Sequence, residues 1–578
     1  MLKLGANLLN CTKFIRNNSG GSLSLLNYRY FSSTTTATDT LKNDNKKILI
    51  TTPIFYVNGP PHIGHLYTGI LADAFSRWNK FSGNDTLFMT GTDEHGSKVE
   101  EAAKKNGLNT VEYTNQISNR FRELFDFSNI KYDDYIRTTE PRHKVAVEAM
   151  WNRLLERGYI YKGKYQGWYC MSDESFLTNS QVTEGMSPVT PTNPVSKKCM
   201  VSLESGHVVE WLEEENYMFK LSAFKEDIEK WLDNNKVYPL VYENQIRHLL
   251  KDGLKDLSIS RPTSRCSWGI PVPNDPSQTI YVWLDALTNY MTVTGYPHTD
   301  ANDPNSYWSN VCHIIGKDIV KFHIIYWPAF LLAAGYPLPQ KIICHAHWTV
   351  NREKMSKSRG NVVNPVESIE KYGLEGVRYF LLKGGGLEDD GDWSDNEINI
   401  KLTADLASTF GNLVSRSTGK ALHPSGQWPS KVVDESLFTE SDKEMIKEIN
   451  KAIEKTSIQF NRGDFKQGIY EILDFLYAVN GYIQSQKPWT LVPKKDKVVG
   501  DLTRLNTIMY TALECVRIVS LLLTPVIPQA TKSTLDHLSI PDSNRRLKDL
   551  KFGFDYINQC TNDQVPSTSI ILFKRVDK

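Results

Sequence analysis

Two short stretches carry residue types suited to handling a phosphate chain. The first is Pro61-His62-Ile63-Gly64-His65, which follows an apolar run and opens a helical pattern. A helix N-terminus presents N–H groups without intrahelical partners and the positive end of the helix dipole, so it attracts anions. Gly64, between two imidazoles, lets phosphate oxygens approach the backbone closely. Two histidines that merely cap a helix are the plainer reading of this tetrad taken alone. The second stretch is Lys354-Met355-Ser356-Lys357-Ser358, followed by Arg359-Gly360-Asn361. Its two lysines lie three apart on a Ser- and Gly-flanked loop and supply mobile positive charge. A leaving pyrophosphate requires such charge in the transition state rather than the ground state. A solvated basic loop is the commoner fate of such a cluster.

Positioning these residues needs a sheet. Residues 47–52 form an apolar run ending at Pro53, and residues 85–92, 311–315 and 341–344 read as further strands. Between the first two, Ile63, Leu66, Ile70, Leu71, Ala74 and Trp78 recur at helical spacing. A second apolar helix is expected between residues 318 and 334. This alternation predicts an α/β fold, a Rossmann-like parallel sheet with helices on both faces. Residues 162–278 differ in texture, with Pro/Ser/Thr-rich turns and short strands, and read as an α+β insertion that splits the sheet. From residue 402 the period is helical, with Leu402, Leu406, Phe410 and Leu413 on one face, so an α-helical bundle domain follows. A last strand signal falls at residues 570–573.

The two motifs, in this order and separated by a split α/β region, resemble the signatures of class I aminoacyl-tRNA synthetases. Further segments narrow the likeness: Ile54-Phe55-Tyr56-Val57-Asn58-Gly59, Gly91-Thr92-Asp93-Glu94-His95-Gly96, Trp268-Gly269-Ile270-Pro271-Val272-Pro273, Trp283-Leu284-Asp285-Ala286 and Gly316-Lys317-Asp318-Ile319. From Lys47 to the early 500s the chain is similar to methionyl-tRNA synthetases. The resemblance implies ATP-dependent ligation of L-methionine to tRNA(Met) through a methionyl-adenylate. It makes His62, His65, Lys354 and Lys357 the catalytic set. These residues, with Gly64, Lys317 and Asp318, would bind ATP, with Mg²⁺ bridging as part of the substrate complex. Asp93 would hold the substrate ammonium, a natural partner for a carboxylate. Ile54, Tyr56, Trp283, Ala286, Tyr290, Ile319 and His323 would line the methionine pocket, where aromatic rings suit a thioether. The family has Pro where this chain has Leu287, which puts the shape of that wall in question. Asn412, Arg416 and Trp489 match the family's anticodon readers; single-stranded bases are recognised by stacking and by their exposed edges. Without the resemblance, Asn412 and Arg416 would read as a surface pair one helical turn apart and Trp489 as core.

The implied organisation is a leader at 1–46, a catalytic domain at 47–161 and 279–360, the insertion at 162–278, a junction at 361–401, an anticodon-binding bundle at 402–560 and a tail at 561–578. The leader has four Lys/Arg and no acidic residue before Asp39, with clustered Ser and Thr, the signature of a mitochondrial transit peptide. A mitochondrial matrix enzyme is therefore expected, although a disordered cytosolic tail is the bland alternative. Residues 1–47 hold seven Lys/Arg and two Asp, leaving −4 on the remainder of a chain whose net charge is +1. A tRNA-binding surface must then be a local basic patch. No uninterrupted apolar run of about 18 residues occurs, which argues against a membrane span. A monomer is expected. Eight scattered cysteines do not make a disulfide scaffold. Zinc-bearing relatives carry paired C-x-x-C knuckles in the insertion. The matching turns here, Cys170-Met171-Ser172-Asp173 and Cys199-Met200-Val201-Ser202, have each lost one Cys, so no structural zinc is expected. His207 replacing Ser202 is the less favoured alternative. Isoleucine, valine and leucine enzymes share both signatures, but their editing insertion is larger than 162–278. A small nucleotidyltransferase would lack the bundle, and a non-enzymatic RNA-binding descendant would lose the histidines and lysines.

Overall fold

The computed structural model describes residues 45–170, 175–177, 179–187, 196–203, 205–355, 360–429, 435–493, 501–553, 565–566 and 570–573. The leader up to residue 44 and Lys357 lie outside these. The first run of apolar residues is β1 (Lys47–Thr51), resumed after Pro53 as β2 (Phe55–Tyr56). Helix α1 (Ile63–Phe81) carries the chain to β3 (Asp85–Asp93), which pairs in parallel with β1 and β2. Asp134–Arg137 extends the sheet beyond β3. On the other side of β1 lie Val311–Gly316, then Lys341–His345, then Val237–Tyr238, all parallel. The chain thus leaves β1 in one direction and returns on the other side. That creates a switch point between β1 and Val311–Gly316, where carboxyl strand ends open a crevice for ligands.

Sequence alternation divides the packing. Leu49 and Met89 face one core with the helices Pro141–Glu156, Val282–Thr292 and Trp327–Ala334. Their neighbours Ile50 and Phe88 face another with α1 and the helical domain. Adjacent strand residues point to opposite faces, so a sheet covered on both sides reads as a continuous apolar run. The helix expected over 318–334 is present, but its winding changes along its length. A 3₁₀ turn at Lys317–Ile319 and a π-helical turn at Phe322–Tyr326 precede Trp327–Ala334. Pro328 has no N–H to donate, and the Trp327 N–H reaches back to the Phe322 carbonyl, five residues away.

The region read as an insertion contains a long antiparallel pair, Ile160–Cys170 with Val208–Phe219, flanked by Lys198–Ser202 and Val182–Met186. It also returns Val237–Tyr238 to the main sheet. The helical region packs Glu440–Arg462, Phe465–Gln486, Leu502–Leu523 and Pro528–His537 together. Leu402, Leu406, Phe410 and Leu413 are buried as the periodicity requires, although Leu402–Gly411 is wound as a π-helix. Leu502–Leu523 is long and apolar enough to cross a membrane, but it is the buried centre of this bundle and carries the Glu514–Arg517 ion pair. Residues 570–573 form no strand. Trp78 joins the bundle to the sheet: its indole N–H donates to Asn461 at 2.7 Å and its ring meets Phe460 edge-on.

Candidate active site

His62 is the N-cap of α1, and the helix opens with a reciprocal capping box. The Gly64 N–H donates to His62 Nδ1 at 3.1 Å, and the His62 N–H donates to His65 Nδ1 at 3.2 Å. A nitrogen that accepts carries no proton, so each ring holds its proton on Nε2 and presents a donor there. The two rings stack at 3.7 Å. A Cβ on residue 64 would sit 3.0 Å from the His62 ring, so the glycine is what lets that ring fold over the helix end. Capping therefore engages Nδ1 of each ring and leaves the proton on Nε2.

Asp93 ends β3, beside Tyr56 in the paired register, and is buried. Ile54 lies in the break between β1 and β2, half-buried, and the Tyr56 ring lies 6.0 Å from the Lys98 ammonium. On the helix Val282–Thr292, Trp283, Ala286 and Tyr290 share one face. Trp283 stacks on Phe322 at 3.6 Å and 7°. Tyr290 O–H meets His323 Nε2 at 2.7 Å, and His323 Nδ1 lies 3.0 Å from the Ile319 carbonyl. Burial pushes His323 down to about 4, with the Ile319 carbonyl opposing only in part. The ring is therefore neutral near pH 7. Its Nδ1–H donates to the carbonyl, so Nε2 accepts from the tyrosine. Burial also raises the Tyr290 phenol, which stays protonated. The wall formed by Ala286, Tyr290, Ile319 and His323 thus carries no charge, which suits an apolar thioether.

Lys317 and Asp318 follow the strand Val311–Gly316 at the switch point. Lys317 Nζ pairs with Asp390 at 2.6 Å, and the same carboxylate oxygen accepts from the His347 N–H. Asp318 is exposed, 3.4 Å from His347 Nε2. Lys354 is exposed on the two-residue strand Glu353–Lys354, which pairs back onto Thr349–Val350. In the helical region Asn412 is exposed, and Arg416 places its guanidinium 5.7 Å from the Trp489 ring. Trp489 is 40 % exposed, so it is not a core residue.

The sequence did not single out Phe322, which its helical period disguises as core, nor the buried His143 and His345. His345, at the end of its strand, meets Thr68 Oγ1 at 2.9 Å and is held neutral, at about 4, by burial. In the insertion, Cys170 lies opposite Val209, and Val209 opposite Met200. Cys170 and Met200 therefore share a face, and Cys199 points from the other. Among the described residues no group of three His, Cys, Asp or Glu side chains is placed to hold a metal.

Carboxyl-end loops around a switch point, a histidine-capped helix and a lysine hairpin match a known class. The family model of class I tRNA synthetases (M) covers residues 48–418. That of the anticodon binding domain of methionyl tRNA ligase covers residues 432–578. The chain is 65 % identical over 540 residues to a probable mitochondrial methionine–tRNA ligase of Dictyostelium discoideum, covering 93 % of this chain and 94 % of the relative. It is 42 % identical over 518 residues to the Homo sapiens mitochondrial methionine–tRNA ligase, covering 87 % and 85 %. A Mycobacterium tuberculosis methionyl-tRNA synthetase bound by methionyl-adenylate superposes with a TM-score of 0.81 at 34 % identity, over 91 % of this chain and all of that one. The protein is thus a class I aminoacyl-tRNA synthetase. Within that class, the chain belongs to the methionyl-tRNA synthetase family.

Proposed function

We propose that this enzyme joins L-methionine to tRNA(Met) in the mitochondrial matrix, through a methionyl-adenylate formed from ATP. The observation that supports the assignment is that Ile54, Tyr56, His62 and His65 follow β1, Asp93 ends β3, and Lys317 and Asp318 follow Val311–Gly316, strands that are parallel neighbours in one sheet. ATP, with Mg²⁺ as part of the substrate complex, lies over the α1 N-terminus. His62 and His65 donate Nε2–H to phosphate oxygens, Gly64 allows the close approach, and Asp318 accepts from a ribose hydroxyl near Lys317. Asp93 pairs with the methionine ammonium. The side chain enters between Ile54, Tyr56, Trp283, Ala286, Tyr290, Ile319 and His323. The methionine carboxylate attacks the α-phosphorus and pyrophosphate leaves, its growing charge met by Lys354 and Lys357. The terminal ribose hydroxyl of tRNA then attacks the activated carbonyl and AMP leaves. Neither step needs a protein nucleophile, because position and charge suffice.

Asn412, Arg416 and Trp489 read the anticodon in this proposal, and the enzyme acts as a monomer without structural zinc. The opposed faces of Cys170 and Cys199 support the absence of zinc. In place of a metal, Trp168 packs edge-on against its cross-strand partner Trp211 at 5.3 Å. The proposal keeps the division into catalytic, inserted, junction and anticodon-binding parts as read from the sequence, with Val237–Tyr238 returned to the main sheet. Methionine-dependent ATP–pyrophosphate exchange tests the chemistry. Lys357→Ala is expected to lower turnover about 100-fold or more, with the Michaelis constant for methionine unchanged. Unchanged turnover with a raised methionine constant would remove the lysines from the transition state.

A further inference from the structure

Two buried residues of the motifs, His95 and Asp285, take no part in the reaction described above. They lie 190 positions apart, yet His95 Nδ1 meets Asp285 Oδ2 at 2.6 Å. The other carboxylate oxygen, Oδ1, meets His143 Nε2 at 2.8 Å, and His143 Nδ1 meets Thr292 Oγ1 at 2.9 Å. Burial alone would raise the Asp285 carboxyl, but the two histidines outweigh it and hold the group at about 2. The carboxylate can therefore only accept, and both facing nitrogens carry protons. Asp285 stands between Trp283 and Ala286 on the helix that walls the proposed methionine pocket. His95 stands two residues after Asp93.

The loop joining β3 to helix α2 (Ser97–Lys105) is clamped along its length. Glu94 donates its N–H to Thr138 at 2.9 Å and takes a bidentate bond from Arg137 on its carboxylate. The Trp268 indole donates to the Glu94 carbonyl, and the Gly96 N–H donates to the Trp268 carbonyl. These contacts tie the loop to the sheet and to the strand-rich return of the chain. The His95–Asp285 bond ties the same loop to the pocket helix.

We propose that His95 and Asp285 are positioning residues that fix the separation between the Asp93 carboxylate and the pocket wall on Val282–Thr292. Methionine is then held at both ends by one rigid frame, its ammonium by the loop and its thioether by the helix. The inference rests on Asp93 being the ammonium site. His95→Ala removes the bridge and leaves a buried carboxylate short of a donor. His95→Asn keeps one, because the Asn amide nitrogen occupies the position of imidazole Nδ1 along the side chain.

In pyrophosphate exchange, His95→Ala is expected to raise the Michaelis constant for methionine about tenfold, the loss of one hydrogen bond to a charged group, while that for ATP is unchanged. The preference for methionine over the longer ethionine should fall with it, and His95→Asn should recover most of both effects. A merely structural role would disturb both substrates alike and leave the preference untouched, and that result overturns the proposal. If His95→Ala does not yield folded protein, Asp285→Asn carries the test, because its neutral amide gives up the charged acceptor and turns an NH2 group toward one of the two histidines. An unchanged methionine constant in that variant also overturns it. Asp93→Asn measured alongside separates the two readings. If only Asp93→Asn raises the methionine constant, the bridge fails. If Asp93→Asn does not raise it, the ammonium site fails.

Discussion

Trp489→Ala separates recognition of tRNA from the chemistry of activation. The helix Phe465–Gln486 ends at Lys487, whose φ of +46° turns the chain, and Pro488–Thr490 then forms a short 3₁₀ turn. That turn holds the Trp489 ring outward with Arg416 beside it. Because the ring is 40 % exposed, truncation opens no cavity in the bundle. The intramolecular loss is the Arg416 contact, worth about 0.5–1 kcal/mol at an exposed site. A base stacked on the ring contributes about 1–3 kcal/mol. A coupling of that size is about 5- to 150-fold in affinity. The Michaelis constant for tRNA in aminoacylation should therefore rise within that range, while pyrophosphate exchange on the same preparation stays at the wild-type rate. Trp489→Phe keeps a π face and should lie between the two. Equal loss in both assays, accompanied by a lower melting temperature, would place Trp489 in the structure rather than on the tRNA. An unchanged tRNA constant would remove the stacking role altogether.

Three further outcomes follow from buried charge and from sheet geometry. Arg378 is fully buried and donates to Asp73 at 2.6 Å and to the carbonyls of Pro525 and Val526, so Arg378→Ala should destabilise the protein by about 3–5 kcal/mol in denaturant unfolding. Burial would raise the Asp73 carboxyl, but Arg378 and Arg77 together hold it below the usual carboxylate range. A depressed carboxylate stabilises the fold above its unfolded value of about 3.9 and loses that contribution as the pH falls through the folded value. The stability gap between wild type and Asp73→Asn should accordingly be full at pH 7 and shrink below about pH 4; a gap that widens on acidification refutes the assignment. Protein purified without chelator should contain well under one equivalent of zinc, and chelation should leave its melting temperature unchanged. One zinc per chain with a large drop would mean that substituted ligands bind it.

What was legible in the sequence is what acts over a short range. β1, β3 and the strands at 311–316 and 341–345 showed as apolar runs because both faces of each are covered. The placement of His62-Ile63-Gly64-His65 at a helix start was legible because the strand, the cap and the helix are consecutive. The π-helical turn within the helix after Gly316 was not legible, since Pro328 can begin a helix as readily as disturb one. The Ile570 to Phe573 stretch has strand-forming residues but no neighbour to pair with among the described residues. The same limit explains the residues missed at the site. Groups that touch a ligand come as compact motifs, because a ligand is small and a loop or a helix turn spans it. Groups that hold those motifs in place come from elements joined by the sheet rather than by the chain. Nothing in the neighbourhood of His95 announces Asp285, and nothing near Lys317 announces Asp390. A motif therefore names the chemistry, while the distance between its parts is set by hydrogen bonds that form only after the parallel strands have brought their carboxyl ends together.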